Sequence, residues 1–228
     1  MDKEKYNLYI VATPIGNLAD ITLRALETLK SVPYIFCEDT RVSSVLLKKY
    51  GIGAKLISYH QHSKESKVLE LINILKNNNA ALITDAGTPG ISDPGNKLIA
   101  EIVSADKNIN IIPVPGPSAI IAGLSISGMP TDKFLFFGFL PHKKGKETII
   151  KQIAESEITT VFYESTHRII KTLEKLNQIL KSDREIVVCR ELTKKFETVY
   201  RGSVQSVLGE LDRGVIKGEF VVIVSPNR

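Results

Sequence analysis

The residues whose types and spacing most strongly suggest chemistry lie at positions 85–95, Asp-Ala-Gly-Thr-Pro-Gly-Ile-Ser-Asp-Pro-Gly. An aspartate directly follows the apolar run 81–84, and three glycines and two prolines come after it. Glycine lets main-chain groups approach a ligand, proline holds a bend, and open α/β sheets bind small molecules at the carboxyl ends of their strands. We therefore interpret this segment, the glycine loop, as a rigid ligand-binding loop rather than an ordinary strand-to-helix turn. Asp93 and Pro94 predict the N-cap and first turn of the next helix.

Polar side chains, two acids and a base among them, follow the apolar run 34–37 in the same way, as Glu38, Asp39, Thr40 and Arg41. Arg41 can hold a phosphate through its guanidinium fork. For Asp39 or Thr40, an ordinary helix N-cap role is as good an explanation as a role in catalysis.

A similar cluster, Glu164, His167 and Arg168, ends the run 159–164 and begins a predicted helix. The helix dipole disfavours a cation at this end unless an anion is near. We therefore expect Arg168 to contact a phosphate.

The net charge is +5, from 30 basic and 25 acidic residues. Such an excess permits a polyanionic partner without requiring one. The densest basic cluster is the polar, glycine-broken segment 141–146, which is typical of a surface loop. Its Lys143 and Lys144 either contact nucleic acid or are simply solvated, and Arg190 is another cation at the end of a predicted strand.

Other chemistries are excluded by the absence of their motifs. The sequence contains no dinucleotide-binding G-x-G-x-x-G after a strand, no phosphate-binding G-x-x-x-x-G-K-[ST] and no G-x-S-x-G nucleophile elbow. His60 and His62 have a spacing that would place both on one side of a strand, but no cysteine or carboxylate set completes a ligand shell. No metal site is expected.

Two further features concern the cellular environment. Cys37 and Cys189 lie in apolar runs, which predicts buried thiols rather than a disulfide. No apolar run approaches the roughly eighteen residues needed to cross a bilayer, and residues 1–5 do not resemble a signal peptide. A cytoplasmic protein without a membrane partner is expected.

The elements that must position these residues follow a strand–loop–helix pattern through the first half of the chain. Strands are expected at residues 8–13, 34–37, 55–58, 81–84 and 110–114, with helices starting near Asp20 and spanning about 42–50, 64–76 and 93–105. Strands that alternate with long helices imply parallel pairing with right-handed crossovers. Residues 1–115 are therefore predicted to be an α/β domain with a largely parallel sheet. Three prolines at 113–117 suit a short connection between domains.

Residues 116–228 are predicted to form a second α/β domain. Strands are expected at 134–139, 159–164, 185–190, 198–201 and 219–225, with helices at about 118–126, after Ile169 and at 204–211. The connection from residue 190 to 198 is too short for a helical crossover, so an antiparallel pair and hence a mixed sheet are expected. Ligand sites favour the interface between two such domains.

Five spaced motifs, together and in this order, carry a resemblance to a known family. They lie at residues 13–22, 38–41, 85–89, 115–119 and 162–168, and the similarity continues to residues 217–220. The chain resembles the ribosomal RNA small subunit methyltransferase I family of the tetrapyrrole-methylase fold group. Two departures are the lack of a C-terminal helical extension that some relatives carry and Gly90, a position that varies among relatives.

The resemblance implies a cytoplasmic enzyme that transfers a methyl group from S-adenosylmethionine to the ribose 2′-hydroxyl of a cytidine in the decoding region of 16S rRNA. It implies the class III methyltransferase fold, with the donor in a cleft between two α/β domains, and a homodimer. The partner is 16S rRNA or the small ribosomal subunit. No metal is required.

The resemblance also implies roles for individual residues. The methionine part of the donor is expected beside Pro14, Asp85, Ala86, Gly87, Thr88, Ser118 and Ala119. The adenine part is expected beside Phe162, Tyr163, Leu192, Thr193 and Gly218. The residues themselves, rather than the resemblance, give the RNA contacts expected from Arg41, Lys143, Lys144, Arg168 and Arg190. They also give the candidate general bases, which are Glu164, Asp39 and His167, in that order. Core packing is an equally good explanation of Phe162.

Two alternatives stay open. A methyltransferase of the same fold could act on a tetrapyrrole or another small molecule, although residues 13–17 read Thr-Pro-Ile-Gly-Asn where the tetrapyrrole enzymes share a glycine-proline-glycine turn. A catalytically silent RNA-binding module would also explain the basic excess, and it would not bind S-adenosylmethionine.

Overall fold

The structure is a computed structural model that describes residues 5–60, 62–214 and 216–227. The chain divides into two compact units, residues 1–118 and 119–228, whereas the boundary was expected between residues 115 and 116. Each unit contains one five-stranded sheet. No helix among the described residues is both long and apolar enough to cross a membrane.

The first unit alternates strands and helices, as the sequence pattern predicts. Its strands are β1 (Tyr6–Val11), β2 (Tyr34–Cys37), β3 (Lys55–Ser58), β4 (Ala80–Leu82) and β5 (Ile109–Val114). Its helices are α1 (Leu23–Ser31), α2 (Thr40–Lys49), α3 (Glu65–Leu75) and α4 (Gly95–Ala105), with a short 3-10 helix at Leu18–Asp20. The strand order is β3-β2-β4-β1-β5 and every pair is parallel, which confirms the predicted parallel sheet.

Both faces of this sheet are covered, because successive side chains of a strand point to opposite faces. Leu8 and Ile10 of β1 pack with Leu71 of α3 and Leu98 of α4. Val11 packs in a second cluster with residues of α1 and α2. Burial on both faces explains why the strands read as continuous apolar runs rather than alternating ones.

The second unit has the predicted mixed sheet. Its strands are β6 (Phe134–Phe139), β7 (Thr159–Ser165), β8 (Glu185–Arg190), β9 (Thr198–Ser203) and β10 (Glu219–Val224). Its helices are α5 (Ala119–Ser127), α6 (Lys146–Glu155), α7 (Ile169–Ile179) and α8 (Val204–Asp212). In the order β6-β7-β10-β8-β9, β6 and β7 are parallel and the other neighbours are antiparallel, including the predicted pair β8 and β9.

Helix α6 was not predicted from the sequence. Its buried residues include Ile150 and Ile153, which lie one turn apart and pack into the core of the second unit. This three-residue spacing of apolar side chains could have predicted the helix. It was missed because the lysine-rich segment before it favoured a loop.

The surroundings of the histidines and cysteines also differ in part from expectation. Strand β3 ends at Ser58, so His60 and His62 follow the strand rather than lie on it, and Gln61 between them lies outside the described residues. No group of three or more histidine, cysteine, aspartate or glutamate side chains in the described part of the chain is arranged to hold a metal ion. Cys37 and Cys189 are buried and unpaired, as predicted.

Candidate active site

The polar residues singled out in the first unit meet at one edge of its sheet. Strands β1, β2 and β4 are neighbours and parallel, so the residues that follow them lie side by side. The Thr13 hydroxyl, after β1, donates to the carbonyl of Thr84 at 2.9 Å, and the Thr84 hydroxyl makes a long, 3.4 Å hydrogen bond to Glu38 Oε2. The Asp39 N–H donates to Asp85 Oδ1 at 3.2 Å. These contacts join the three strand ends into one polar cluster.

The carboxylates of this cluster differ in acidity. Burial raises the pKa of Glu38, and the negative charges of Asp85 and Asp93 raise it further. Burial also raises the pKa of Asp85, although the Asp39 N–H opposes this. Hydrogen bonds from Arg41 instead lower the pKa of Asp39 to about 2. Glu38 and Asp85 are therefore the stronger proton acceptors of the cluster.

Asp39 is the N-cap of α2, where its carboxylate accepts from the Arg41 N–H at 2.8 Å. The same carboxylate holds the Arg41 guanidinium at 2.6 Å. The N-cap explanation is thus the one that the geometry supports. A carboxylate held at a pKa of about 2 is a weak base, which argues against the predicted catalytic role of Asp39. Arg41 remains 89% exposed and accessible to a phosphate.

The glycine loop is fastened to the end of β1. Gly87 and Thr13 form an isolated antiparallel bridge, with the Gly87 N–H donating to Thr13 O at 3.0 Å and the Thr13 N–H donating to Gly87 O at 2.9 Å. Gly87 has a φ of +84°, a conformation that side-chain-bearing residues rarely adopt. The Gly87 N–H is thus already bonded to Thr13 and cannot donate to a ligand. A ligand can still approach Gly87 closely on the side where other residues carry a side chain. Thr88 lies next to it, and its hydroxyl donates to Pro117 O at 3.1 Å.

Asp93 closes the glycine loop at the start of α4. Its carboxylate accepts from the N–H of Gly90 at 2.9 Å and from that of Gly95 at 2.7 Å, and the N-cap position is occupied by Pro94. A Cβ at Gly95 would lie 2.8 Å from Asp93 Oδ1 and 2.9 Å from Gly90 N. The predicted N-cap position is therefore one residue away from the observed one, since Pro94 occupies it, but the Asp93 carboxylate does bind the first N–H of α4. A side chain at position 95 would force its neighbours to shift.

A cavity of about 270 Å³ opens beside this polar cluster and is called the α2 cavity below. It lies between the ends of β1 and β4 and helix α2. Its apolar wall consists of Pro14, Leu18, Val42, Val45, Leu46 and Ile83, and its polar groups belong to Thr13, Ser43, Thr84 and Asp85. Sequence reasoning named Pro14 and Asp85 but missed the contribution of α2, whose Val42 and Val45 are exposed at the surface.

In the second unit, Glu164 is fully buried and engaged in an ion-pair network. Its carboxylate lies 2.6 Å from Arg168 Nη2 and 3.8 Å from Lys146 Nζ, and it accepts a 2.7 Å hydrogen bond from the Thr172 hydroxyl. The Lys146 ammonium also donates to Thr172 Oγ1 at 2.7 Å. A substrate cannot reach a carboxylate that is 0% exposed, so the geometry argues against Glu164 as the general base.

Arg168 is occupied by the same network. Its guanidinium contacts Glu164 and donates to Leu140 O at 2.7 Å, and its side chain is 15% exposed. The anion that compensates this cation at the start of α7 is Glu164 rather than a phosphate, so the RNA contact predicted for Arg168 is not supported. His167, by contrast, is exposed. Its predicted catalytic role stays a prediction.

Phe162 and Tyr163 point to opposite sides of β7. Phe162 is fully buried in the core of the second unit, so its ring cannot contact a donor and only its main chain could. Tyr163 is half-buried against Phe136 and Phe139, with ring centroids 5.1 and 5.2 Å away. Burial raises the pKa of Tyr163 to about 12, so the hydroxyl stays protonated at any physiological pH.

The segment after β8 has unusual backbone geometry. Glu191 and Thr193 have φ values of +53° and +63°, and Leu192 between them is buried. Gly218 has a φ of +123° and faces Glu191 so closely that a Cβ would collide with it. The Thr166 hydroxyl accepts from the Gly218 N–H at 2.7 Å and fixes this turn. Strained backbone of this kind is common at ligand sites.

The remaining predicted residues are placed as follows. Ala86 lies within the glycine loop, Ala119 begins α5 and Ser118 precedes it. Lys143 and Lys144 are exposed in the loop before α6. The Arg190 side chain donates to Lys217 O at 2.7 Å and is held near the end of β8. Their predicted contacts to donor and RNA stay predictions.

Comparison with known proteins gives a consistent result. The family model described as Tetrapyrrole (Corrin/Porphyrin) Methylases matches residues 7–208. Proteins named ribosomal RNA small subunit methyltransferase I are similar over nearly the whole chain. The Haemophilus influenzae protein is 47% identical over 95% of this chain and 77% of its own length. The Escherichia coli O157:H7 protein is 44% identical over 100% of this chain and 80% of its own length.

Among solved structures, the X-ray structure of cobalt precorrin-4 methyltransferase, a cobalamin biosynthetic enzyme, is similar with a TM-score of 0.69. It covers 96% of this chain and 94% of the other, at 16% sequence identity. At this identity the likeness concerns the fold alone.

Proposed function

Because this chain belongs to the tetrapyrrole (corrin/porphyrin) methylase family and to the ribosomal RNA small subunit methyltransferase I family, we propose that it methylates ribosomal RNA. More finely, we propose transfer of a methyl group from S-adenosylmethionine to the 2′-oxygen of a cytidine ribose in the decoding region of 16S rRNA. The observation that carries the proposal is the 44–47% identity to relatives of this name over at least 95% of the chain.

The glycine loop fits a bound donor. Gly87 has no side chain where the loop meets Thr13, and the nearest atom to a Cβ there would be Ile15 Cγ2 at 3.5 Å. A side chain would thus fill the open side of the glycine. We propose that Pro14 and Thr88 line the methionine end of the donor together with Gly87. Asp85, Ala86, Ser118 and Ala119 complete this set.

In the second unit, the residues after β8 and before β10 are proposed to bind the adenine end. Leu192, Thr193 and Gly218 offer main-chain groups at a turn that Thr166 fixes. Tyr163 offers a half-buried aromatic surface. Phe162 contributes through its main chain alone. The expectation that the donor lies between the two units stays a prediction.

The bound donor would supply an electrophilic methyl group, and the protein must position the ribose oxygen and receive its proton. Holding the ribose oxygen in line with the reactive methyl group can lower the barrier by roughly 7–11 kcal/mol. We propose Glu38 as the proton acceptor, because its pKa is raised by burial and by neighbouring carboxylates and the Thr84 hydroxyl orients it. As the 2′-oxygen bonds to the methyl carbon, the bond between that carbon and the donor sulfur would break, S-adenosylhomocysteine would leave, and the hydroxyl proton would pass to Glu38.

RNA contacts are proposed for exposed cations at the edges of the two units. Arg41 is fixed by Asp39 yet remains exposed, and Lys143 and Lys144 are exposed in one loop. Arg190 is a further candidate. We also propose a cytoplasmic homodimer, with the exposed Phe134, Leu135 and Phe139 of the edge strand β6 as part of its interface. Sedimentation analysis would test the dimer.

The experiment that tests the function is incubation with methyl-labelled S-adenosylmethionine and small ribosomal subunits from a strain that lacks the activity. The expected result is one labelled cytidine 2′-oxygen per subunit. Label on a base, or only on added small molecules such as tetrapyrroles, would contradict the proposal.

A further inference from the structure

The α2 cavity has one wall that the donor proposal does not use, and we propose that it binds the base of the target nucleotide after this base has turned out of its RNA strand. The inference rests on the proposed RNA methylation and adds the substrate group that the cavity recognises. In chemical terms, the occupant is an uncharged nucleobase with an exocyclic amino group, which for the proposed substrate is cytosine.

The apolar wall of the cavity suits the flat faces of a base. Val42 and Val45 of α2 are 46% and 58% exposed at its mouth, while Leu46 and Ile83 are buried deeper in its lining. An exposed pair of valines on one helix face gains from being covered by a ring. Enzymes that do chemistry on a base turn that base out of its strand into such a pocket; here the bound base would instead position the adjoining ribose.

The polar groups of the cavity match the edge of such a base. Asp85 supplies a carboxylate that can accept from an exocyclic amine. The Ser43 residue is 4% exposed, and its hydroxyl has no hydrogen-bond partner of good geometry in the described part of the chain. Burial raises the pKa of the neighbouring Cys37 thiol, although a hydrogen bond with Ser43 opposes this, and a thiol is only a weak hydrogen-bond partner. Ser43 is thus available to donate to a ring nitrogen or carbonyl oxygen.

The charge of the lining argues against an anionic group as the occupant. Asp85 is the one ionisable side chain among the described residues that line the cavity, and none of these residues is a lysine or arginine. A carboxylate or phosphate placed here would have no counter-charge and would be repelled by Asp85. An uncharged base avoids both costs. The base would then lie on the α2 side of Asp85 and the donor on the side of Gly87, which leaves Glu38 near the ribose.

The test narrows the mouth of the cavity and measures donor binding and methylation separately. The variant is Val45→Phe, with Val42→Phe as a second mouth variant and Val103→Phe as the matched control, because Val103 is an equally exposed valine on α4, outside the cavity. Calorimetry gives the Kd of S-adenosylmethionine, labelled small subunits give kcat and KM, and circular dichroism confirms folding.

The expected result for both mouth variants is a donor Kd within about twofold of wild type and a kcat/KM at least about tenfold lower, chiefly through KM, with Val103→Phe unchanged. In wild type, subunits with uridine at the target position should be methylated at least about tenfold less efficiently, because uracil lacks the amine. A donor Kd that weakens in parallel with kcat/KM would assign the cavity to the donor and overturn the inference.

Unchanged kinetics in both mouth variants, or equal rates with cytidine and uridine, would likewise overturn it. These failures are distinct from failure of the proposed function, in which wild-type protein transfers no label to subunits at all. That outcome would overturn both.

Discussion

Replacing Glu164 by glutamine tests whether this side chain stabilises the second unit or takes part in catalysis. The carboxylate is completely buried between Arg168 and Lys146. In the variant two cations stay in the interior without a negative charge beside them, and removing one partner of a buried ion pair costs about 3–5 kcal/mol. Because the amide can still accept hydrogen bonds, we expect a loss near the lower end, about 3 kcal/mol of unfolding free energy.

The loss should depend on pH through Lys146. Burial lowers the pKa of this lysine below its usual 10.5, and the negative charge of Glu164 opposes that effect. Without Glu164 the folded protein should release the proton at a still lower pH than the unfolded chain does. The unfolded state then binds more protons, so the stability of the variant should rise with pH between the two pKa values.

The assay is urea unfolding followed by far-ultraviolet circular dichroism, since the chain contains no tryptophan. With an m value of about 1–3 kcal/mol/M, the midpoint should fall by about 1 M or more. Glu147→Gln is the control, because Glu147 forms a 3.0 Å ion pair with Lys175 but is 80% exposed, and its midpoint should not change measurably. A Glu164→Gln protein with the wild-type midpoint and no methylation activity would refute the structural role and restore the catalytic one.

Three further changes test the first unit. Glu38→Gln should lower kcat by about 10²–10⁴-fold with an unchanged donor Kd, and a fully active variant would exclude Glu38 as the base. In the wild-type enzyme, the rate should rise with pH through the raised pKa of Glu38, because only the ionised carboxylate accepts a proton. Gly87→Val should abolish donor binding and, because valine is strained at a φ of +84°, should also cost about 1–3 kcal/mol of stability. Wild-type donor affinity by calorimetry would count against the donor site. Gly95→Ala should weaken donor binding and lower the thermal midpoint because of the contact with Asp93, whereas Gly53→Ala, with nothing within 4 Å of its Cβ, should do neither.

Local pattern was sufficient for much of the fold. The apolar runs and the helices between them predicted the parallel sheet of the first unit, and the short connection from Arg190 to Thr198 predicted the antiparallel pair in the second. These features depend on neighbours in the chain and on the covering of sheet faces, which sequence periodicity records. Helix α6 was missed because its apolar spacing follows a lysine-rich loop.

The candidate site depended more on contacts between distant residues. Asp85, Gly87 and Pro14 were identified from residue type and from the resemblance, but nothing local shows that Thr84 bonds Glu38 across 46 positions or that α2 completes a cavity. Glu38 was therefore missed as a proton acceptor, since its pKa is set by burial and by Asp85 and Asp93.

The sequence by itself thus determined the order of the strands and of the helices other than α6, the family and the glycine loop, because these follow from nearest-neighbour conformational preference and from spaced motifs. The tertiary structure alone decided which charges are free to act. The sequence predicted Glu164 as a candidate base and Arg168 as an RNA contact, but folding buries them beside Lys146, where each neutralises the other. Burial and through-space charge determine the reactivity of an ionisable group, and both arise only when distant segments pack together.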